Sequence, residues 1–525
     1  MHTRREQQQT LCGTHPKYPT RPDKHPVRSR PLRCRNETLR RKDLAIQADR
    51  TPVLVTVVSG HSVPEADGNY PDGEHSDGKS PTDLQTWTGS FDFHRWEDVS
   101  RLDGGSELRT QNSELMQTFQ TYVHELSTHL DLRDWTDPSK HHTLQRQLCR
   151  TLGTRGLLRV ISGLAYDEDG SHVDDDDDPR YDYSFCYSLI REFAKRSMPI
   201  TAAVFTSARI GIHAVVHAGS DEMKHRYVPA CLSGETVWSL CMSGPEAGSD
   251  LLAGETTAVR RGDVWVLSGH KKWITGGWYA DYFCVLARTA PVAPGAGTGA
   301  ETGSGRTSVA GLSMFVVPRT ARGVRVDRMA CHAAVESGTA RVLLEEVVVA
   351  EDDVVGGIGQ GFAIAMDLLV EERWVSGVTS LAMARRALEE IMDWTQTRQI
   401  HGKPMHHLQA VRLRMARMKM LLDPLDTLAR QLAVRLSAER NSRHMSIALA
   451  ADCAGFKATA VVALTDCIQH AMLLFGGRAF EVTGKGGIIG RLNAEVHGMA
   501  CAGGTYDVLM DGVARSMLLS MRSSL

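Results

Sequence analysis

A single β-rich island between helical runs is the feature that most limits what this chain can fold into. Between about 236 and 355 the residues read as strands. "TTAVRRGDVWVLSG" gives a strand, a Gly-Asp turn and a second strand, and "DYFCVLART" and "LSMFVVP" give two more. "ARVLLEEVVVAEDDVV" adds further β-branched strand, while the Gly/Ala/Thr-rich stretch at about 290–311 reads as a floppy surface insertion. On both sides of the island, apolar residues recur at spacings of three and four. "ELMQTFQTYVHELSTHL", "YSLIREFAKRS" and "DEMKHRYVPACLSGE" precede it. After Gly361 come long helical runs with alanine- and methionine-rich faces, the pattern of a four-helix bundle. The expected fold is mainly α with a central β domain: a helical domain over 91–235, a β domain over 236–355 and a helical bundle over 356–525. Residues 1–90, rich in Arg, Pro and Ser and without periodicity, read as a disordered or targeting extension.

At 525 residues the chain exceeds one small core, and 42% hydrophobic with 23% charged residues describes an ordinary globular protein. A formal charge of −2 gives no reason to expect nucleic acid or an anionic membrane as partner. No apolar run is expected to approach the ~18 residues of a membrane span. Eleven cysteines without a CxxC pair suggest a reducing compartment, and no disulfide framework or zinc site is indicated. His401, His406 and His407 lack a nearby acidic partner and read as a polar loop, and "DDDDD" at 174–178 reads as a solvated loop ahead of a calcium site.

Three motifs bear on chemistry. "GGIGQG" at 356–361 misses the GxGxxG fingerprint, because its third glycine would fall on Phe362 and no βαβ unit surrounds it. "LCMSGPEAGSD", Leu240 to Asp250, is a Pro/Gly/Ser loop with backbone N–H groups free to donate. "KKWITGG", Lys271 to Gly277, ends a strand with a large ring and a hydroxyl beside glycines. Either one alone reads as a turn.

Together the last two resemble the flavin-binding signatures of the acyl-CoA dehydrogenase family. "HRYVPACLSGE", "EEVVVAEDDVVGGIGQGF", "FGGRAF" and "AEVHGMACAGGTYDVLMDGVAR" extend the resemblance over roughly 107–520, in the family's order. It implies a helical domain, a small β barrel and a four-helix bundle. It also implies FAD-dependent oxidation of an acyl-CoA thioester to a trans-2-enoyl-CoA. A base must then take the α proton while hydride leaves Cβ, with the thioester oxygen hydrogen-bonded and water excluded.

The resemblance assigns further roles by position. Leu240, Met242, Ser243 and Ser249 belong to a loop around the flavin, with Ser249 near the acyl-CoA. Trp273 and Thr275 fall against the isoalloxazine, and Arg398 falls where the family's arginine reaches the FAD pyrophosphate of a neighbouring subunit. Gln409, Gly476, Gly477 and Thr505 fall at further FAD positions, while Arg373 and Gly504 fall at substrate positions. The chain departs from the family at Gly244 (usually Glu), Gly276 (usually Asn), Leu473 (usually Gln) and His401 (usually Phe).

The usual C-terminal catalytic glutamate is also missing: its position is Gly503, which cannot take a proton. Members similar to isovaleryl-CoA and long-chain dehydrogenases carry the glutamate in an E-R pair on a bundle helix, and Glu372-Arg373 falls on that pair without a gap. Helix geometry agrees. Glu371 has Asp367 one turn back and is expected to be salt-bridged or solvated. Glu372 has Leu368 and Leu369 behind it and Val375 and Ser376 ahead, surroundings that raise a carboxyl pKa. Glu372 is the expected base.

The resemblance further implies an electron-transferring flavoprotein as partner and a homotetramer or homodimer. The basic start suggests the mitochondrial matrix, with a peroxisome-like organelle or the cytoplasm as alternatives. The competing activities are an acyl-CoA oxidase and a non-catalytic flavoprotein similar to the DNA-alkylation-response members. The latter would favour a basic surface on the C-terminal part, and the near-neutral charge argues against it.

Overall fold

A computed structural model describes residues 106–128, 134–163, 183–289, 309–439 and 445–523. The extension at 1–90, the aspartate run and most of the 290–311 insertion lie outside the described residues.

The first helical part comprises α1 (Ser106–Thr128), α2 (His141–Thr154), α3 (Leu157–Ser162), α4 (Tyr183–Arg196), α5 (Met198–Phe205), α6 (His213–Ala218) and α7 (Asp221–Leu232). Local sequence sets several of these starts. Ser197 accepts from the Ile200 N–H, with Pro199 in the first turn of α5. Ser220 accepts from the Met223 N–H, with Asp221 and Glu222 in the first turn of α7. A π-turn over Thr206–Gly211 joins α5 to α6. It ends at a glycine because the chain there presses on Trp238, where a Cβ would lie 2.7 Å from the Trp238 carbonyl carbon.

The middle part is an eight-stranded sheet of β1 (Trp238–Cys241), β2 (Thr257–Arg261), β3 (Val264–Ile274), β4 (Tyr282–Arg288), β5 (Leu312–Pro318), β6 (Val324–Arg328), β7 (Ala340–Ala350) and β8 (Val354–Val355). Its order is β6-β7-β3-β2-β4-β5-β8, with β1 parallel to β4. β4 and β5 are buried on both faces, which explains their unbroken apolar runs. Phe283, Val285, Phe315 and Val317 face the sheet's own core, while Cys284, Leu286, Met314 and Val316 meet Ile212, Val215 and Val228 of the helices.

The last part holds α8 (Gly361–Thr397), α9 (Gln409–Glu439), α10 (Ile447–Phe475), α11 (Gly487–Cys501) and α12 (Tyr506–Ser523). α8 and α10 cross closely at Gly377, where a Cβ would sit 2.4 Å from the Phe456 ring. The helices before and after the sheet share one apolar core that includes Phe119, Phe185, Ile190, Val370, Trp374, Leu432 and Phe456.

One expectation needs correcting. Met198–Ala218 and Ile447–Phe480 are long and apolar enough, by length and composition, to cross a membrane. Their apolar windows are 89% and 56% buried within the protein, as in core helices. Arg209, His213 and Lys457 interrupt these runs in the sequence, and each meets a partner inside the fold: Arg209 the Ile161 carbonyl and Glu371, His213 Glu371, and Lys457 the Gly504 carbonyl.

Candidate active site

The two loop signatures meet at the end of β3. The Lys272 N–H donates to the Ser243 carbonyl at 3.1 Å, and buried Lys271 donates through Nζ to the Met242 carbonyl at 2.8 Å. Ser239 Oγ donates to the Thr275 carbonyl at 3.0 Å, tying β1 to the second segment. Leu240 is fixed by its pairing with Cys284 across β1 and β4. Met242 and Ser243 are half-buried, and Ser249 is exposed on the outer part of the loop.

Trp273 is held in a costly conformation. A register shift between Lys271 and Ile274 breaks the β3–β7 ladder, and Trp273 takes φ +60°. The irregularity throws the indole outward, 49% exposed, with the Lys272 ammonium 4.6 Å from the ring. Gly276, at φ +71°, turns the chain back beneath it. That left-handed position suits asparagine or glycine, so Gly276 keeps the turn while losing an amide. An exposed aromatic face on a strand end tied to the Ser243 loop fits the flat ring of a flavin.

A second group forms at the far end of α8. Arg398 caps that helix, donating its N–H to the Trp394 carbonyl at 2.9 Å. With Gly476, Gly477, Leu473 and Arg478 it lines an open groove of about 550 Å³. Gly476 takes φ +58°, and a Cβ on Gly476 or Gly477 would meet nothing within 4 Å. Bare backbone beside a guanidinium can cradle a phosphate. Gln409 is exposed at the start of α9 and is not among the groove residues.

The third group surrounds the paired glutamates, and the structure separates them sharply. Glu371 is 3% exposed. Its carboxylate lies 3.0 Å from Arg209 Nε and 3.6 Å from His213 Nδ1, and it accepts from the Tyr183 hydroxyl at 2.5 Å. Despite burial, the Arg209 charge holds its pKa far below the ordinary carboxylate range. Sequence reasoning foresaw a salt bridge or a solvated role, and only the salt bridge holds, made with helices remote in sequence.

Glu372 points elsewhere. It is half-buried, with Leu368, Leu369, Val375 and Ser376 buried around it. Desolvation raises its pKa above the ordinary value, against the opposing charges of Arg373 and Lys457. Gly503, at φ +65°, lies directly opposite: a Cβ there would sit 3.6 Å from Arg373 Cγ and 3.8 Å from Glu372 Oε1. Arg373 Nε donates to the Gly503 carbonyl at 3.1 Å, and Lys457 Nζ donates to those of Gly504 and Ala500 at 2.7 and 3.1 Å. Thr505 is exposed just beyond the turn.

Sequence reasoning missed Lys457 and Arg209. The available signal was a lone cation inside an apolar helical run, "AGFKATAVVA" and "FTSARIGIHAVV".

Comparison with known proteins places this geometry. Family models for the acyl-CoA dehydrogenase N-terminal domain, middle domain and C-terminal domain match residues 112–235, 239–347 and 359–518. The chain is similar to acyl-CoA dehydrogenase apdG of Emericella nidulans, 30% identical over 314 residues, 59% of this chain and 67% of that one. It is similar to the mitochondrial short-chain specific acyl-CoA dehydrogenase of Homo sapiens, 28% identical over 391 residues, 73% of this chain and 85% of that one. Its fold is shared with an acyl-CoA dehydrogenase complexed with FAD from Bacillus anthracis. The TM-score is 0.66 at 20% identity, covering 81% of this chain and 69% of the other.

Proposed function

Because the chain belongs to the acyl-CoA dehydrogenase family and is an oxidoreductase acting on acyl-CoA with FAD as cofactor, we propose that Glu372 is its catalytic base. The observation that carries this reading is the convergence of Glu372 and Gly503 on one spot. The family's other glutamate position holds only a hydrogen, and a carboxylate from α8 reaches the same place.

Bound FAD supplies the acceptor for the hydride that leaves the acyl Cβ. Glu372 takes the proton from Cα, so the C–H electron pair becomes the new Cα–Cβ double bond. Its raised pKa strengthens it as a base for a weak carbon acid. Glu371 is unsuited, since its lone pairs are engaged by Arg209 and Tyr183. Leu240, Met242, Ser243, Trp273 and Thr275 hold the flavin ring, and Ser249, Arg373 and Gly504 meet the acyl-CoA. Arg398, Gln409, Gly476, Gly477 and Thr505 hold the rest of the cofactor.

The groove around Arg398 serves a neighbouring subunit's FAD, so the working form is a homotetramer or homodimer. Exposed Phe480 and Val482 (93% and 95%), with Leu413, Met420 and Met517 on the bundle surface, support such an assembly. Electrons pass on to an electron-transferring flavoprotein, and the substrate is a fatty or branched acyl-CoA. The mitochondrial name of the human relative supports a matrix location.

Anaerobic titration with isovaleryl-, butyryl- and palmitoyl-CoA, followed by flavin absorbance, tests this reading beside Glu372→Gln. Bleaching by one thioester, abolished by the substitution, is the expected result. Reoxidation by oxygen as fast as by an electron-transferring flavoprotein moves the assignment to an oxidase. A yellow protein that no thioester bleaches moves it to a non-catalytic flavoprotein.

A further inference from the structure

We infer that Lys457 is a positioning residue for the reaction: reaching from α10, its ammonium holds the Ala500–Gly504 turn and supplies a second cation beside the Glu372 carboxylate. This rests on the reading of Glu372 as the base.

Lys457 is 1% exposed, packed between Phe456 and Ala458, which are themselves 1% and 2% exposed. A buried ammonium is costly unless its donors and its charge are both engaged. Two donors are used, on the carbonyls of Gly504 and Ala500. The turn it holds carries Gly503, whose Cβ direction ends 3.8 Å from Glu372 Oε1, so the ammonium and that carboxylate flank the same two glycines. Burial nonetheless lowers the ammonium to about 8.

The turn needs this support. Gly503 and Gly504 take φ +65° and +113° and offer no side chains to pack. Cations from two helices substitute: Arg373 on the Gly503 carbonyl, Lys457 on those of Ala500 and Gly504.

The charged and titratable groups around the pair come from three elements. α8 contributes Arg373, α10 contributes Lys457 and Cys453, and the end of α11 contributes Cys501. Lys457 is thus a cation brought to this turn from a helix other than that of Glu372. Removing its charge favours the protonated, inactive carboxyl.

A capping role and a charge role come apart in Lys457→Gln, whose amide can still donate to both carbonyls but carries no charge. In the FAD-loaded protein we expect the acid limb of the kcat–pH profile to move up by about one pH unit in Lys457→Gln, a roughly tenfold loss on that limb. KM and flavin content should stay within about twofold of wild type. Lys457→Arg should restore the limb, and Lys457→Met should show the same shift plus a lower plateau from a loosened turn. An unmoved limb in Lys457→Gln, or an equal loss at every pH, overturns the inference. Should Glu372→Gln itself stay active, the reading of the base fails instead, which the same profiles reveal separately.

Discussion

Glu371 and Glu372 are neighbours on one helix, turned about 100° apart, and they live in opposite worlds. Glu371 meets Arg209, His213 and Tyr183 from the N-terminal helices and is locked in its ionised form. Glu372 meets a glycine turn that offers space, and burial weakens its hold on the ionised form. The same side chain is thus a brace on one face and, on the function proposed above, a proton acceptor on the other. What stands opposite decides which.

The largest expected effect is on chemistry. Glu372→Gln should lower kcat by about 10²–10⁴-fold, the usual contribution of a general base, with flavin retained. An active Glu372→Gln would erase the distinction between the two residues. Next comes the brace. Arg209→Met takes the guanidinium from the buried Glu371 charge and leaves it Tyr183 and His213, so urea denaturation should register a loss of about 3 kcal/mol. The double variant Arg209→Met/Glu371→Leu should recover most of that loss. If it does not, the cluster contributes more than charge neutralisation.

Acidification should separate the two further. Glu371 has a depressed pKa, so its stabilising effect is present above the unfolded carboxyl value and fades only at strongly acid pH. Glu372 has a raised pKa and serves as a base only above it. Activity should therefore disappear at a milder pH than the structure does, with circular dichroism unchanged while turnover falls. The smallest effect has the opposite sign. A raised pKa means that ionised Glu372 destabilises the fold near neutral pH, so Glu372→Gln should gain about 0.5–1 kcal/mol while losing activity.

The order of helices, β island and bundle was legible because each segment carries its own period over many residues. β4 and β5 read as strands because β-branched runs bounded by turns need no partner to be recognised. The apolar surroundings of Glu372 were legible from its neighbours one turn away, all on the same helix. Glu371 was not, because Arg209 and Tyr183 lie far away in sequence and local spacing offered only Asp367. Lys457 was invisible for the same reason: its partners are backbone carbonyls of a turn more than forty residues downstream. The outward throw of Trp273 also escaped the sequence, since the register shift depends on how β3 and β7 pair.

The Cβ direction at Gly503, aimed at Arg373 and Glu372, has a consequence for how such a site can change over generations. A helix and a turn both aim at one spot, so the fold offers two mounting points for a single carboxylate. Two anions that close would repel strongly in a poorly hydrated pocket, which makes the mounts mutually exclusive. A chain that moved its base from one to the other would exchange one acid for the other and also relax the left-handed φ of +65° that Gly503 holds. Gaining the second acid follows, or forces, surrender of the first.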